Sequence, residues 1–118
     1  MMKFKINGYS FGRMIVGERE FTSDLILHSD GHIQDNWRRY KGHDLLPDDI
    51  TTVFDVPFEK LIIGTGANGM MKVSDSLVGL CKNHGIEVDI CPTAKAVIRY
   101  NEAVETGTVV VGCFHLTC

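Results

Sequence analysis

Residues 62–76, IIGTGANGMMKVSDS, pass from an apolar run through a glycine-rich loop to a helix start. Residues 61–63 are apolar, which is typical of a buried strand, and the Ser74-Asp75 pair is a signal for a helix N-cap. Because Gly85 stands where the apolar period stops, we expect this helix to cover about residues 75–84. A strand, a loop and a helix in this order predict the first part of a βαβ unit.

Three glycines in this stretch, Gly64, Gly66 and Gly69, have the spacing G-x-G-x-x-G of a dinucleotide-binding loop. In such a loop the helix opens within the motif, so that the third glycine packs against the strand. Here the helix signal comes well after Gly69, and Asp89 alternates with apolar neighbours as in any half-exposed strand. We therefore expect a loop that needs glycine backbone angles rather than a dinucleotide site.

The same loop could still hold a smaller anion. The amides of Thr65, Gly66 and Ala67, beside Lys72, could form an anion nest. We keep this loop as a candidate ligand-binding site with four residues: Thr65, Gly66, Gly69 and Lys72. A site of this kind would make the chain a binder of a small anionic ligand. Such a binder could also be an enzyme that acts on this ligand.

Towards the C-terminus the chain continues with further strands and helices. Residues 87–91 and 108–116 predict strands and residues 94–105 predict a helix, so residues 41–118 form a βαβαβ half with crossover connections over one sheet. The last run is apolar on both faces, as expected of a strand that is covered on both sides. A short helix beginning near Pro47 and ending before Pro57 precedes this half.

The helix at residues 94–105 predicts which of its side chains are buried. Its spacing gives a core-facing stripe of four apolar residues: Ala94, Val97, Ile98 and Val104. Asn101, beside Tyr100, falls on the same stripe. A buried amide must find partners, so we expect Asn101 to bond a neighbouring loop or, alternatively, a ligand.

Residues 1–40 alternate short β-type runs with turn signals and predict an antiparallel meander. The Asn7-Gly8 pair predicts a hairpin turn and residues 29–31 predict a second turn. Four strands are expected: residues 3–6, 11–16, 21–28 and 33–38.

Size and composition indicate one globular domain, residues 1–118. Charged residues make up 23% and hydrophobic residues 44%, and no apolar run approaches the length of a spanning helix. The start resembles no secretory signal, so we expect a cytoplasmic protein without a membrane segment. The net charge of -3 argues against nucleic acid as a partner, and the four cysteines are expected to be free thiols.

Five segments together resemble one known family: DNWRR (35–39), GTG (64–66), KNHGIEVDI (82–90), PTAKAVIRYN (92–101) and VVGCFHLTC (110–118). It is the family of small uncharacterised proteins that includes the vertebrate adipogenesis-associated protein and a mitochondrial respiratory complex I assembly factor. The resemblance implies a three-layer α/β domain with a mixed central sheet, in which an N-terminal antiparallel β-hairpin region precedes the βαβαβ half. It implies no catalytic reaction and no cofactor.

Two further groups of residues are candidate sites. Trp37, Arg38, Arg39 and His43 form an aromatic and basic cluster of the kind found at protein interfaces. Tyr100, Asn101, His115 and Cys118 lie in the segments that carry the resemblance and form a possible family site. For His115 and Cys118 the alternatives are a zinc site, a thiol nucleophile, or a surface histidine and a small apolar residue, and we expect no metal.

The leading prediction is a non-enzymatic cytoplasmic protein that acts through protein contacts, as an assembly or regulatory partner, without a cofactor. The partner itself is not specified by the sequence, and a homodimer is the ordinary expectation for a small chain. The alternative is the anion binder described above.

Overall fold

The computed structural model describes residues 4–118, in which ten strands, two α-helices and two short 3-10 helices follow one another. The strands are β1 (Ile6–Ser10), β2 (Arg13–Val16), β3 (Arg19–Phe21), β4 (Leu25–Leu27), β5 (Ile33–Gln34), β6 (Asp44–Leu45), β7 (Lys60–Thr65), β8 (Lys72–Val73), β9 (Glu87–Cys91) and β10 (Val110–His115). The helices are α1 (Asp75–Asn83) and α2 (Thr93–Glu105), with 3-10 turns at Pro47–Asp49 and Thr51–Asp55.

A mixed five-stranded sheet with the order β5-β4-β10-β7-β9 forms the centre of the fold. β10 pairs in parallel with β7, and β7 in parallel with β9, whereas β4 is antiparallel to both β10 and β5. The connections through α1 and α2 are the crossovers that parallel neighbours require. The predicted mixed sheet and βαβαβ half are confirmed.

Both faces of this sheet are covered. Ile62 points into a core shared with α2 and the separate antiparallel sheet β1-β2-β3. Leu61 and Ile63, its neighbours along β7, point into the other core, against α1, Trp37 and the 3-10 turns. Because successive side chains of a strand face opposite ways, one apolar strand serves both cores. The three-layer arrangement is the predicted one.

The N-terminal hairpin differs from the prediction in its turn. Asn7 and Gly8 lie inside β1, at a shift in its pairing with β2, and the chain turns at Phe11 and Gly12 instead. Gly12 has φ +74°, which a tight turn needs, and the side-chain Nδ2 of Asn7 donates to the Gly17 carbonyl at 2.7 Å. The predicted strand at residues 3–6 begins outside the described residues.

The predicted strand at residues 21–28 is two strands. β3 ends at Phe21 in the hairpin sheet, and β4 begins at Leu25 in the central sheet. The strand is interrupted between them, where the Asp24 side chain accepts hydrogen bonds from His115 and from the Leu116 amide. The next predicted strand, residues 33–38, is shortened to β5, and the predicted short helix after Pro47 is the pair of 3-10 turns.

Both crossover helices were predicted, but α2 is rotated about its axis and buries a different face from the predicted one. Ser74 caps α1, its hydroxyl oxygen accepting from the Leu77 amide at 3.2 Å, as expected. The predicted stripe of α2 is wrong at Ala94, which is exposed, and at Ile98, which is 61% exposed; Val97 and Val104 are partly buried. The residues that α2 buries are Thr93, Ala96, Tyr100 and Ala103. The rotation follows from Thr93, whose hydroxyl is bonded to two strand ends.

Among the described residues, neither helix has the length and apolar character that crossing a membrane requires.

Candidate functional site

The glycine loop follows β7 at the edge of the sheet where the parallel strands end. Gly66 has φ +109° and Gly69 has φ +67°, conformations that favour glycine. A side chain at Gly66 would also collide with the chain itself, since its Cβ would lie 2.7 Å from the Thr117 carbonyl oxygen and 2.6 Å from that of Cys118. Gly66 therefore allows the glycine loop and the backbone of residues 117–118 to pass close together.

Three amides of this loop are bonded within the protein. The Gly66 amide donates to the Thr93 hydroxyl at 2.8 Å, the Ala67 amide to the Thr117 carbonyl at 2.7 Å and the Met70 amide to the Cys118 carbonyl at 3.0 Å. Of the three amides of the expected nest, those of Gly66 and Ala67 are therefore not open to an anion, which corrects the prediction. Lys72, the remaining member of that candidate site, lies in β8 with an exposed side chain. Because α1 begins only at Asp75, no helix starts at Gly69, and this glycine does not have the helix-packing role of the third glycine in a dinucleotide-binding loop.

Thr93 joins the start of α2 to this edge. Its hydroxyl donates to the His115 carbonyl at 2.6 Å while it accepts from the Gly66 amide. Gly64 makes this approach possible, because a Cβ there would lie 2.8 Å from the Thr93 hydroxyl oxygen. The three strand and helix ends are thus fixed together by one buried side chain.

Trp37 is an anchor rather than an exposed contact residue. Its side chain is only 4% exposed, and its indole nitrogen donates to the Asp49 carbonyl at 3.0 Å. The Trp37 amide donates to the Asp24 carbonyl at 2.9 Å. The guanidinium of Arg39 lies 4.8 Å from the indole ring centroid, a cation–π contact. Of the predicted interaction cluster, only Arg38 and His43 are exposed.

A buried ionic cluster of Asp24, Arg39 and His115 lies beside this tryptophan. Asp24 Oδ2 is 2.9 Å from Arg39 Nη2 and 2.7 Å from His115 Nδ1. The other oxygen, Oδ1, accepts from the Leu116 amide at 2.8 Å. The exposed ring of His43 packs edge-on against His115 with 5.4 Å between centroids. The cluster therefore brings together two predicted site residues with one that sequence reasoning missed.

The carboxyl group of Asp24 has an altered pKa. Burial alone would raise it, but hydrogen bonds from His115, the Leu116 amide and Arg39, together with the nearby charge of His115, outweigh burial and hold the pKa of Asp24 below its ordinary value. The folded protein therefore keeps this group as a carboxylate, which accepts every one of these hydrogen bonds.

The possible family site is divided among separate contacts. Tyr100 is buried edge-on to Phe114 at 5.7 Å, and its burial raises the pKa of the phenol. Asn101 bonds the backbone of Ile6 twice, accepting from its amide at 3.0 Å and donating to its carbonyl at 2.8 Å. Cys118 is exposed, with its carbonyl over the glycine loop. Asn101 thus bonds the backbone of another segment, but this segment is the start of β1 and not the expected loop.

All four cysteines carry free thiols. Burial raises the pKa of Cys81, Cys91 and Cys113, so their thiolate forms are disfavoured. Within residues 4–118 no three histidine, cysteine or acidic side chains gather closely enough to hold a metal ion.

Asp24 and Thr93 are the functional positions that the sequence did not reveal. Asp24 directly precedes the apolar run 25–27, and this position was the one available signal for a buried charge. Thr93 gave none, because a hydroxyl at a helix start is also an ordinary capping residue.

Solved structures of similar fold cover almost the whole chain. A conserved hypothetical protein from Pyrococcus horikoshii OT3 is 24% identical, with a TM-score of 0.86 over 97% of this chain and 99% of its own. An outer membrane protein from Bartonella henselae is 20% identical, with a TM-score of 0.82 over 98% and 97%. A Bordetella pertussis protein named as a Mth938-like domain is 17% identical, with a TM-score of 0.64 over 96% and 85%. At these identities the likeness shows a shared fold.

A family model also matches most of the sequence. It is described as a protein of unknown function (DUF498/DUF598), and it matches residues 6–115. That range includes every strand and both helices of the fold. The chain therefore belongs to the DUF498/DUF598 family.

Proposed function

We propose that the protein is a cytoplasmic, non-catalytic partner of another protein, which it binds through residues 38–43, here called the 38–43 loop. The observation that carries the proposal is Tyr40. Tyr40 is 81% exposed, although its backbone amide is bonded to Asp49. Exposed tyrosines on ordered loops are frequent energetic centres of protein interfaces.

The loop is anchored from within. The Tyr40 amide donates to Asp49 Oδ1 at 3.0 Å, and Arg39 Nε donates to the Gly42 carbonyl at 2.7 Å. At its end the Lys72 amide donates to the His43 carbonyl at 2.6 Å. A loop that is already ordered loses little conformational entropy when it binds, which favours recognition.

The chemistry of the exposed side chains indicates the kind of partner. Arg38, Lys41 and His43 are near Tyr40 along the chain and are all exposed. The loop thus presents an aromatic ring among basic groups, which is complementary to an acidic surface with an apolar centre. The resemblance to a family with a respiratory complex I assembly factor supports an assembly or regulatory role of this kind.

Crosslinking from the loop tests the proposal. A photoreactive phenylalanine analogue in place of Tyr40 should capture one defined protein in cells. The same analogue at Phe11, a 61% exposed aromatic in the hairpin turn, is the matched control and should not capture it. The double variant Arg38→Ala/Tyr40→Ala should lose this partner while keeping the circular dichroism spectrum of the parent. Undiminished recovery of the partner by the folded double variant would contradict the proposal.

A further inference from the structure

Two nitrogen atoms of the ionic cluster are buried without a protein partner. Arg39 Nη1 and His115 Nε2 make no hydrogen bond with any of residues 4–118. Their side chains are only 5% and 6% exposed. An unsatisfied buried donor costs about 1–3 kcal/mol, and more when it is charged, so proteins rarely leave one without an acceptor. The pair therefore marks a binding position.

The proton on His115 follows from its neighbours. Asp24 is a carboxylate that only accepts, so His115 Nδ1 at 2.7 Å from Oδ2 must carry a hydrogen. Arg39 Nη2 donates to the same oxygen, and its 3.2 Å approach to His115 Nδ1 is the meeting of two donors at one acceptor, not a hydrogen bond between them. His115 Nε2 is left for a ligand.

The charges indicate what that ligand is. The Arg39 guanidinium is always charged, so Nη1 is a donor that an anionic oxygen satisfies. An anion in contact with His115 Nε2 favours the imidazolium form, in which Nε2 is also a donor and the cluster has one excess positive charge for the anion to neutralise. A monovalent anion with two oxygens neutralises the cluster and accepts one hydrogen bond from each, in the charge-assisted geometry that guanidinium and imidazolium groups favour.

The position in the fold suits a ligand of this kind. His115 is the last residue of β10 and pairs in register with Thr65, the last residue of the parallel strand β7. Open α/β sheets bind ligands at the carboxyl ends of their strands. The exposed ring of His43 contacts His115, so on this side only the His43 side chain separates the cluster from solvent. Because the position is so buried, only a small ligand fits there.

We infer that Arg39 Nη1 and His115 Nε2 bind one small monovalent oxyanion of the carboxylate class, with Asp24 holding both side chains in place. This site is separate from the expected nest of the glycine loop, where the Gly66 and Ala67 amides are bonded within the protein. It is a different surface from the exposed Tyr40, although Arg39 belongs to the 38–43 loop and anchors it through the Gly42 carbonyl.

Nuclear magnetic resonance of the unaltered full chain tests the inference. Side-chain nitrogen signals of Arg39 and His115 should shift saturably with sodium formate and not with sodium chloride. Signals of Arg13, a surface residue on β2, should stay in place. Absence of a saturable shift at His115 would overturn the site. Inorganic phosphate, largely dianionic near neutral pH, should bind more weakly than formate, and tighter phosphate binding would overturn the carboxylate assignment.

Two variants and a crystal structure complete the test. His115→Phe keeps a ring but removes the second donor, and should weaken formate binding about tenfold or more, the effect of one charge-assisted hydrogen bond. Arg13→Gln removes a surface charge and should bind formate as the parent does. Because a variant in the cluster could fail to fold, a crystal of the unaltered protein grown in formate is decisive. Density for formate should bridge Arg39 Nη1 and His115 Nε2, and water alone there would overturn the inference.

Discussion

At Gly66 the backbone passes against Thr117 and Cys118 with no room for a side chain. A Cβ at this position would collide with the Cys118 carbonyl carbon as well as with both carbonyl oxygens. The backbone angle of φ +109° adds a second reason for glycine. A pattern that resembles a nucleotide loop is thus explained by close approach of two chain segments.

Alanine substitutions at two glycines separate the steric collision at Gly66 from the ordinary preference of a helix for alanine over glycine. We expect Gly66→Ala to lower the free energy of unfolding by roughly 1–3 kcal/mol or more, because the methyl group meets backbone atoms that cannot move aside. Gly79 lies in α1 with no atom within 4 Å of the added carbon, so Gly79→Ala should raise stability by up to about 1 kcal/mol. Urea denaturation measures both, and a Gly66→Ala protein as stable as the parent would contradict the steric explanation.

At the scale of elements, α2 shows how one helix is fixed at both ends. Thr93 bonds its first turn to the ends of β7 and β10, and Asn101 bonds its later turns to β1. Along the same helix, the small side chains of Ala96 and Ala103 are buried. The helix therefore has one rotation, which leaves Ile98 in solvent although its spacing predicted burial.

The link between α2 and β1 can be tested directly. Asn101→Ala removes two hydrogen bonds to Ile6 and should lower the free energy of unfolding by roughly 1–3 kcal/mol. Hydrogen exchange of the Ile6 amide should accelerate, because its acceptor is lost, while amides within β7 should stay protected. Glu102→Ala, at the exposed next position, is the control. Equal exchange of the Ile6 amide in parent and variant would show that Asn101 does not hold the hairpin.

At the scale of the whole molecule, the ionic cluster joins distant parts of the chain. Asp24 precedes β4, Arg39 belongs to the loop after β5, and His115 ends β10. Their bonds tie an antiparallel strand, a parallel strand and the 38–43 loop at one edge of the sheet. Removing one partner would leave a buried charge uncompensated, so we expect single substitutions in the cluster to lower global stability.

The lowered pKa of Asp24 predicts how stability depends on pH. A carboxyl group whose pKa is lower in the folded state stabilises the fold fully above its ordinary pKa of 3.8, and this contribution is lost as the pH falls through the folded value. Asp24→Asn should therefore be less stable than the parent near neutral pH, by roughly 3–5 kcal/mol for a broken buried pair. The difference should shrink below pH 3.8.

Urea denaturation across this pH range checks the prediction. Asp35→Asn, which neutralises an exposed acid of the same type, is the matched control and should change stability little at either pH. A gap between parent and Asp24→Asn that stays constant as the pH falls would show that ionisation of Asp24 is not the source of the stabilisation.

Apart from the two-residue β8, which was not predicted, the sequence by itself determined the order of elements from β7 onwards, the Ser74 cap of α1 and the covered central strands. These features depend on signals within a few residues: apolar period, caps and turn residues. The hairpin turn was misplaced because Asn7-Gly8 and Gly12 offer competing local signals, and pairing with β2 decides between them.

Only the tertiary structure decided which distant residues meet. Asp24 and His115 are 91 positions apart, and Thr93 reaches both Gly66 and His115. The burial of Trp37 and Arg39 and the exposure of Tyr40 follow from the same packing. Such contacts depend on how strands and helices are arranged in space, and the spacing of residues along one element carries no record of that arrangement.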